Sequence, residues 1–257
     1  MGAETRPVGF FDSGLGGISV LRQTVRLLPG EDFLYFGDNL HAPYGTKAAE
    51  EVLELSRAAL CRLQAEGVKA LVIACNTATS AAVAALRKEN PDFPIIGTEP
   101  AVKPAVESYP GGRILMLATP MTVREEKFRL LCASLSGFAE IIPVGCEGLM
   151  EFVERGELEG AALDAYLKQK LAPYLDKPAD AVVLGCTHYP FLRRAIQKAV
   201  GNAEIIDGSA GIARRLRQVL EERALLNPQA QGRVDFRFSG SDPQTLALAQ
   251  RLLNAAE

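Results

Sequence analysis

Histidine is scarce in this chain of 257 residues, with only two, His41 and His188. No metal-ligand spacing surrounds either one, which argues against a structural zinc site. Cysteine is sparse as well. Its five residues, at 61, 75, 132, 146 and 186, are odd in number and widely spaced, and no CxxC pair occurs. That pattern fits reduced thiols rather than a disulfide framework. There is no long block of one charge sign, and 28 basic residues nearly balance 31 acidic ones. Nucleic acid and anionic membrane surfaces therefore lack an electrostatic footprint, and a small molecule is the expected partner. No apolar run is long enough to span a membrane, and MGAETRPVGFF lacks the basic-then-apolar pattern of a secretory signal, so the expected location is cytoplasmic.

What the sequence does contain is alternation. Short runs rich in Val, Ile and Phe are separated by longer amphipathic stretches, the pattern of βα units that build parallel sheets. Strands are predicted at Val8 to Asp12, Asp32 to Asp38, Ala70 to Cys75, Pro94 to Thr98, Arg113 to Ala118, Glu140 to Val144, Ala181 to Cys186, Glu204 to Asp207 and Val234 to Phe238. Over Lys47 to Glu66, Val52, Leu55, Ala59 and Leu63 recur at helical spacing, which predicts a helix packed on a sheet. The stretch Gly97 to Gly112, with three prolines and paired glycines, reads as a crossing between domains. Leu225 to Gly232 reads as a second loop. The predicted fold is α/β, with two similar parallel-sheet domains: 1–98 plus about 210–257, and 99–209.

Two strand ends resemble each other, ALVIACNTATS at 70–80 and AVVLGCTHYPF at 181–191. Each is an apolar run that ends in a small residue, then Cys, then hydroxyl or amide side chains. In open parallel sheets ligands bind beyond the carboxyl ends of the strands. A helix starting just after Cys75 or Cys186 offers unpaired N–H groups that bind carboxylate and favour thiolate. A cysteine at a strand end is more often a small buried hydrophobe, but a matched pair points to chemistry. Two thiols in opposite protonation states suit removal of a proton from one face of a carbon and delivery of another to the opposite face, which is stereoinversion. Asn76, Thr77 and Thr187 are placed to donate to a substrate carboxylate and stabilise carbanionic charge. Cys61, Cys132 and Cys146, in helical or helix-start patterns, are assigned to packing.

Other motifs remain open on residues alone. VGFFDSGLGGISV carries Asp12 and Ser13 before a glycine-rich turn. It reads either as an anion-binding loop, although Ser19 replaces the third glycine of GxGxxG, or as a tight βα turn with an Asp/Ser cap. Tyr44 and the backbone of Gly45, after Pro43, either reach a polar ligand or simply form a turn. His188, two residues past Cys186, is either structural or an assistant in its proton transfers.

Taken together, FFDSGLGG at 10–17, FGDNLHAPYG at 36–45, ACNTAT at 74–79 and GCTHYP at 185–190 resemble the glutamate racemase family in order and approximate spacing. The resemblance implies a two-base enzyme without pyridoxal or metal, with two α/β domains and the active site between them, that supplies D-glutamate for bacterial cell-wall synthesis. It implies that Cys75 is the base toward D-glutamate and Cys186 the base toward L-glutamate, with Asp12 and His188 as their helpers. Substrate contacts are implied for Asp12, Ser13, Tyr44, Gly45, Asn76, Thr77, Thr187 and His188. A family glutamate matches Glu154 in CEGLMEFVERG, although Glu147 and Glu151 stand where prolines are more usual. The short stretch before Val8 leaves little room for the N-terminal regulatory segment of some members. Oligomeric state is open, a homodimer included.

An aspartate racemase would share the chemistry and differ in its side-chain pocket. A thiol redox enzyme would call for CxxC or a resolving Cys, and a non-catalytic binder gives no reason for paired thiols. The expected outcome is activity that survives exhaustive chelation without added pyridoxal phosphate; loss with EDTA, restored by metal, contradicts it.

Overall fold

The structure is a computed structural model that describes residues 2–228, 231–240 and 242–255. In chain order its strands are β1 (Val8–Asp12), β2 (Phe33–Gly37), β3 (Ala70–Ile73), β4 (Ile95–Gly97), β5 (Arg113–Ala118), β6 (Glu140–Gly145), β7 (Ala181–Leu184), β8 (Glu204–Asp207) and β9 (Val234–Phe238). The α-helices are α1 (Ile18–Leu27), α2 (Ala49–Ala65), α3 (Asn76–Glu89), α4 (Val102–Ser108), α5 (Pro120–Arg124), α6 (Glu126–Leu135), α7 (Leu149–Glu154), α8 (Ala161–Leu171), α9 (Arg193–Val200), α10 (Ser209–Glu222) and α11 (Pro243–Asn254). The chain divides into two compact units, 1–98 with 209–257, and 99–208.

The first unit holds a parallel sheet in the order β4-β3-β1-β2-β9. Every residue of β1, β2 and β3 is buried, as expected for strands covered on both faces. Strand alternation sends Phe11, Leu34, Phe36, Leu71 and Ile73 into one core cluster with α2 and α3. Phe10, Phe33 and Tyr35 point the other way, and α1 packs against α10 and α11. In α2 the inner stripe is Val52, Ser56, Ala59, Leu60 and Leu63. Leu55, predicted for that stripe, is only half-buried. Ser56 is tolerated there because its hydroxyl donates to the Val52 carbonyl at 2.7 Å, which satisfies the buried polar group.

The second unit holds four parallel strands in the order β6-β5-β7-β8. Matched strand for strand, this repeats the order β2-β1-β3-β4 of the first unit. In both, the first and third strands are neighbours, and chain connections run outward from them in opposite directions. That is the topological switch point, where open α/β sheets bind ligands.

Several details depart from the sequence reading. The segment 97–112 is not a bare crossing: it contains α4, whose Val102, Ala105 and Val106 are buried. Pro104 fits in its first turn because an N–H there would have no intrahelical acceptor. Of the loop expected over 225–232, residues 229 and 230 lie outside the described residues. Cys61 is exposed on α2 and so is not a packing residue.

At the amino-terminal end of the first sheet, Lys69 Nζ lies 2.5 Å from Glu31 Oε2, with both side chains almost fully buried. Glu31 Oε1 also accepts the Asn227 N–H at 2.7 Å, which ties the returning chain to β2. Removing one partner of a buried pair strands the other charge. Lys69→Met is therefore expected to lower the unfolding free energy by about 3–5 kcal/mol, read as a shift in the urea midpoint at unchanged slope.

Candidate active site

Both cysteines stand just beyond the last ladder bond of the third strand of their unit. Strands were predicted to run through Cys75 and Cys186, but β3 ends at Ile73 and β7 at Leu184. One more backbone bond follows each, from Ala74 N–H to Phe11 O at 2.8 Å and from Gly185 N–H to Leu117 O at 2.7 Å. The next residue is the thiol. Gly185 is required by close approach, since a Cβ there would meet the Leu117 carbonyl at 3.0 Å and the Met116 side chain.

In the first unit, Cys75 is the N-cap of α3, and its Sγ accepts from the Ala78 N–H at 3.4 Å. Ser13 Oγ lies 3.6 Å from the same sulfur. The 14-residue helix points its positive end at this thiol, an arrangement that favours thiolate. Asp12, at the end of β1, is fully buried, and its Oδ1 accepts the Gly14 N–H at 2.9 Å. The Asp/Ser cap, one of the two readings of this turn, is absent: Gly17 is the N-cap of α1 and no side chain caps it. Gly17 permits tight packing, because a Cβ there would lie 2.7 Å from the Asp12 Cβ. Asn76 and Thr77 open α3 beside Cys75. Tyr44 is buried in the same core cluster as Cys75, and its hydroxyl donates to Asp38 Oδ2 at 2.6 Å. Burial, the Asp38 bond and the neighbouring Asp38, Cys75 and Asp12 charges hold the Tyr44 phenol protonated well above its usual range. Gly45 follows in a short 3-10 turn over Tyr44–Thr46.

In the second unit, the helix expected right after Cys186 is not α-helical. Thr187 and His188 form a turn, Tyr189–Leu192 is a 3-10 segment, and α9 starts only at Arg193. Bonds from Tyr189 N–H to Cys186 O and from Phe191 N–H to His188 O, both 3.1 Å, set this tighter path. Pro190, lacking an N–H, sits in the first turn of the 3-10 segment. The tighter path brings His188 against the thiol, with Nδ1 3.6 Å from Cys186 Sγ. Nε2 lies 2.6 Å from Glu154 Oε1, so the last residue of α7 joins the cluster. His188 is almost fully buried, whereas Glu154 keeps 24% of its side chain exposed. Burial alone lowers the imidazole pKa, but hydrogen bonds and charge from Cys186 and Glu154 outweigh it and raise it well above 6.5.

Cys146 follows β6 and is buried, with its thiol pushed up to about 12, chiefly by burial. It stays protonated near neutral pH. Cys132 packs against the core of the second unit. Two residues escaped the sequence reading. Thr119 follows β5 at the position matching Ser13 after β1, and its Oγ1 lies 3.0 Å from Thr122 Oγ1. Their signal was the strand-end position itself, read at the ends of β1, β3 and β7 but not of β5.

Among known proteins, a family model described as Asp/Glu/Hydantoin racemase matches residues 16–216. The chain is 46% identical over 252 residues to the glutamate racemase of Clostridium perfringens, covering 97% of each chain. It is similar in structure to glutamate racemase of Escherichia coli in complex with L-glutamate and the activator UDP-MurNAc-ala, at TM-score 0.86 and 34% identity, covering 96% of this chain and 95% of that one. The Francisella tularensis glutamate racemase in complex with D-glutamate is similar at TM-score 0.84 and 28% identity, covering 98% and 95%.

Because its folded pKa is raised, protonated His188 contributes stability that is fully present below about pH 6.5. That contribution is lost as pH rises through the raised value. In Glu154→Gln the imidazole should titrate at lower pH, followed by NMR of the His188 ring, and the alkaline loss of stability should begin earlier. An unmoved midpoint would uncouple Glu154 from His188.

Proposed function

The chain belongs to the Asp/Glu/Hydantoin racemase family, and on that premise we propose that it interconverts L- and D-glutamate with Cys75 and Cys186 as its two acid–base groups. The observation that carries this reading is the matched position of the two thiols, each one residue past the extra ladder bond of its third strand.

In the direction from D-glutamate, the Cys75 thiolate takes the α-proton. The electron pair left on carbon delocalises into the carboxylate, and the Cys186 thiol delivers its proton to the opposite face. The product is L-glutamate, with Cys75 as thiol and Cys186 as thiolate. The reverse direction exchanges these roles. Asp12 assists on the Cys75 side. His188, held by Glu154, assists on the Cys186 side, where an imidazolium stabilises the thiolate left after proton delivery. Ser13, Asn76, Thr77 and Thr187, with Tyr44 and the backbone of Gly45, bind and orient the substrate and stabilise the developing charge. The reading includes neither metal nor organic cofactor. D-glutamate is a building block of peptidoglycan, and we assign the enzyme to its supply in the cytoplasm.

Incubation with L-glutamate in D2O tests the function: a racemase incorporates deuterium at the α-carbon and forms the D enantiomer, whereas a binder or a thiol redox enzyme does neither. Repeating it with aspartate tests the alternative substrate. Replacing either cysteine by Ser should reduce racemisation by about 10²- to 10⁴-fold, the scale of general acid–base catalysis. Elimination from an analogue with a leaving group at the β-carbon needs only one base. Cys75→Ser should then still process the L form and Cys186→Ser the D form. If one variant keeps both enantiomers and the other neither, a single base does all the work.

A further inference from the structure

We propose that Tyr35 is a positioning residue for the Cys75 half of the reaction, acting through the Gly14 peptide on Asp12 and Ser13; this rests on the two-cysteine racemase reading. Tyr35 lies in the middle of β2 and is fully buried. A tyrosine there is costly unless its hydroxyl is bonded, and the hydroxyl donates to the Gly14 carbonyl at 2.7 Å. The N–H of the same Gly14 donates to Asp12 Oδ1 at 2.9 Å. One residue thus links a buried phenol at its carbonyl to a buried carboxylate at its N–H.

The surroundings leave that turn little room. Gly37, in register with Asp12, must lack a side chain, because a Cβ there would lie 2.7 Å from the Gly14 carbonyl oxygen. A Cβ on Gly17 would lie 3.1 Å from the Tyr35 hydroxyl and 2.7 Å from the Asp12 Cβ. Ser13, between the two anchored residues, carries the hydroxyl 3.6 Å from Cys75 Sγ. The tyrosine ring is held in turn by β9, with Phe236 at 5.6 Å and Phe238 at 6.1 Å between ring centroids. The Tyr35 hydroxyl acts on the Gly14 carbonyl. It fixes the turn that aims Asp12 and Ser13. Cys186 faces a different set of groups, the His188 ring and, through it, Glu154.

That asymmetry makes the proposal testable with Tyr35→Phe, which keeps the ring and removes only the hydroxyl. The probes are the D and L forms of 3-chloroglutamate. The base takes the α-proton, the C–H electron pair forms the carbon–carbon double bond, and chloride leaves. The resulting enamine tautomerises to an imine, which water hydrolyses to 2-oxoglutarate and ammonium.

Chloride release from the D form, through Cys75, should fall by about 10- to 100-fold, the scale of a small misplacement of catalytic groups. The loss should lie in kcat with KM little changed, and release from the L form, through Cys186, should be unaltered. Equal losses from both forms, or no loss from the D form, would overturn the proposal. Failure of the wild-type protein to racemise glutamate would instead reject the functional reading beneath it. Circular dichroism and thermal unfolding check that the variant folds. Should it not, Phe238→Leu keeps the hydroxyl and loosens the ring behind it. The same selective loss from the D form is expected there, and an equal loss from both forms would again overturn the assignment.

Discussion

Two backbone hydrogen bonds, from Ala74 to Phe11 and from Gly185 to Leu117, set where Cys75 and Cys186 sit. Each prolongs a parallel ladder by one bond beyond the regular strand. The next residue is released from the sheet while its Cα is still fixed by the strand beneath it. A cysteine at that point has an anchored backbone and a sulfur that faces the loops. The apolar strands, the glycines at 17, 37 and 185 and the neighbouring helices all serve to hold this arrangement.

Beyond this shared anchorage the two thiols are served by different physics. Cys75 accepts from one peptide N–H at a helix terminus and lies beside the Ser13 hydroxyl, groups that do not change charge near neutral pH. Cys186 faces an ionisable ring whose own charge depends on Glu154 and on the thiol itself. The peptide and hydroxyl contacts of Cys75 set a fixed field, whereas the His188 ring beside Cys186 exchanges its proton. In the proposed two-base reaction, one thiol is thus fixed by backbone geometry and the other is tied to proton occupancy.

The strands were legible because nearly continuous apolar runs of four to six residues have few alternatives to a covered parallel strand. The pairing of Cys75 with Cys186 was legible because a duplicated local pattern survives in the letters. Other features lie in contacts the letters do not record. The 3-10 turn after Cys186 follows from i to i+3 bonding around Pro190, which a helix-start reading cannot separate from an α-helix. Ser56 takes a core position only because it bonds to the turn before it. Tyr35 reads as one more aromatic in an apolar strand, and its hydroxyl acquires meaning only when Gly14 is brought beside it. The proximity of Glu154 to His188 depends on how α7 meets the turn after β7, and spacing along the chain carries no such information.

The order in which the chain passes through its two units has a consequence for biogenesis. The second unit is an insertion between β4 and α10, and β9, the partner of β2, is made after it. During vectorial synthesis the inserted unit emerges whole while the first sheet still lacks its edge strand. Phe236 and Phe238 are therefore among the last residues to reach their places. A nascent chain acquires the Cys186–His188–Glu154 cluster before the Tyr35 ring is backed and the Asp12 turn fully braced. Synthesis thus completes the surroundings of Cys186 before those of Cys75, the reverse of their order in the sequence.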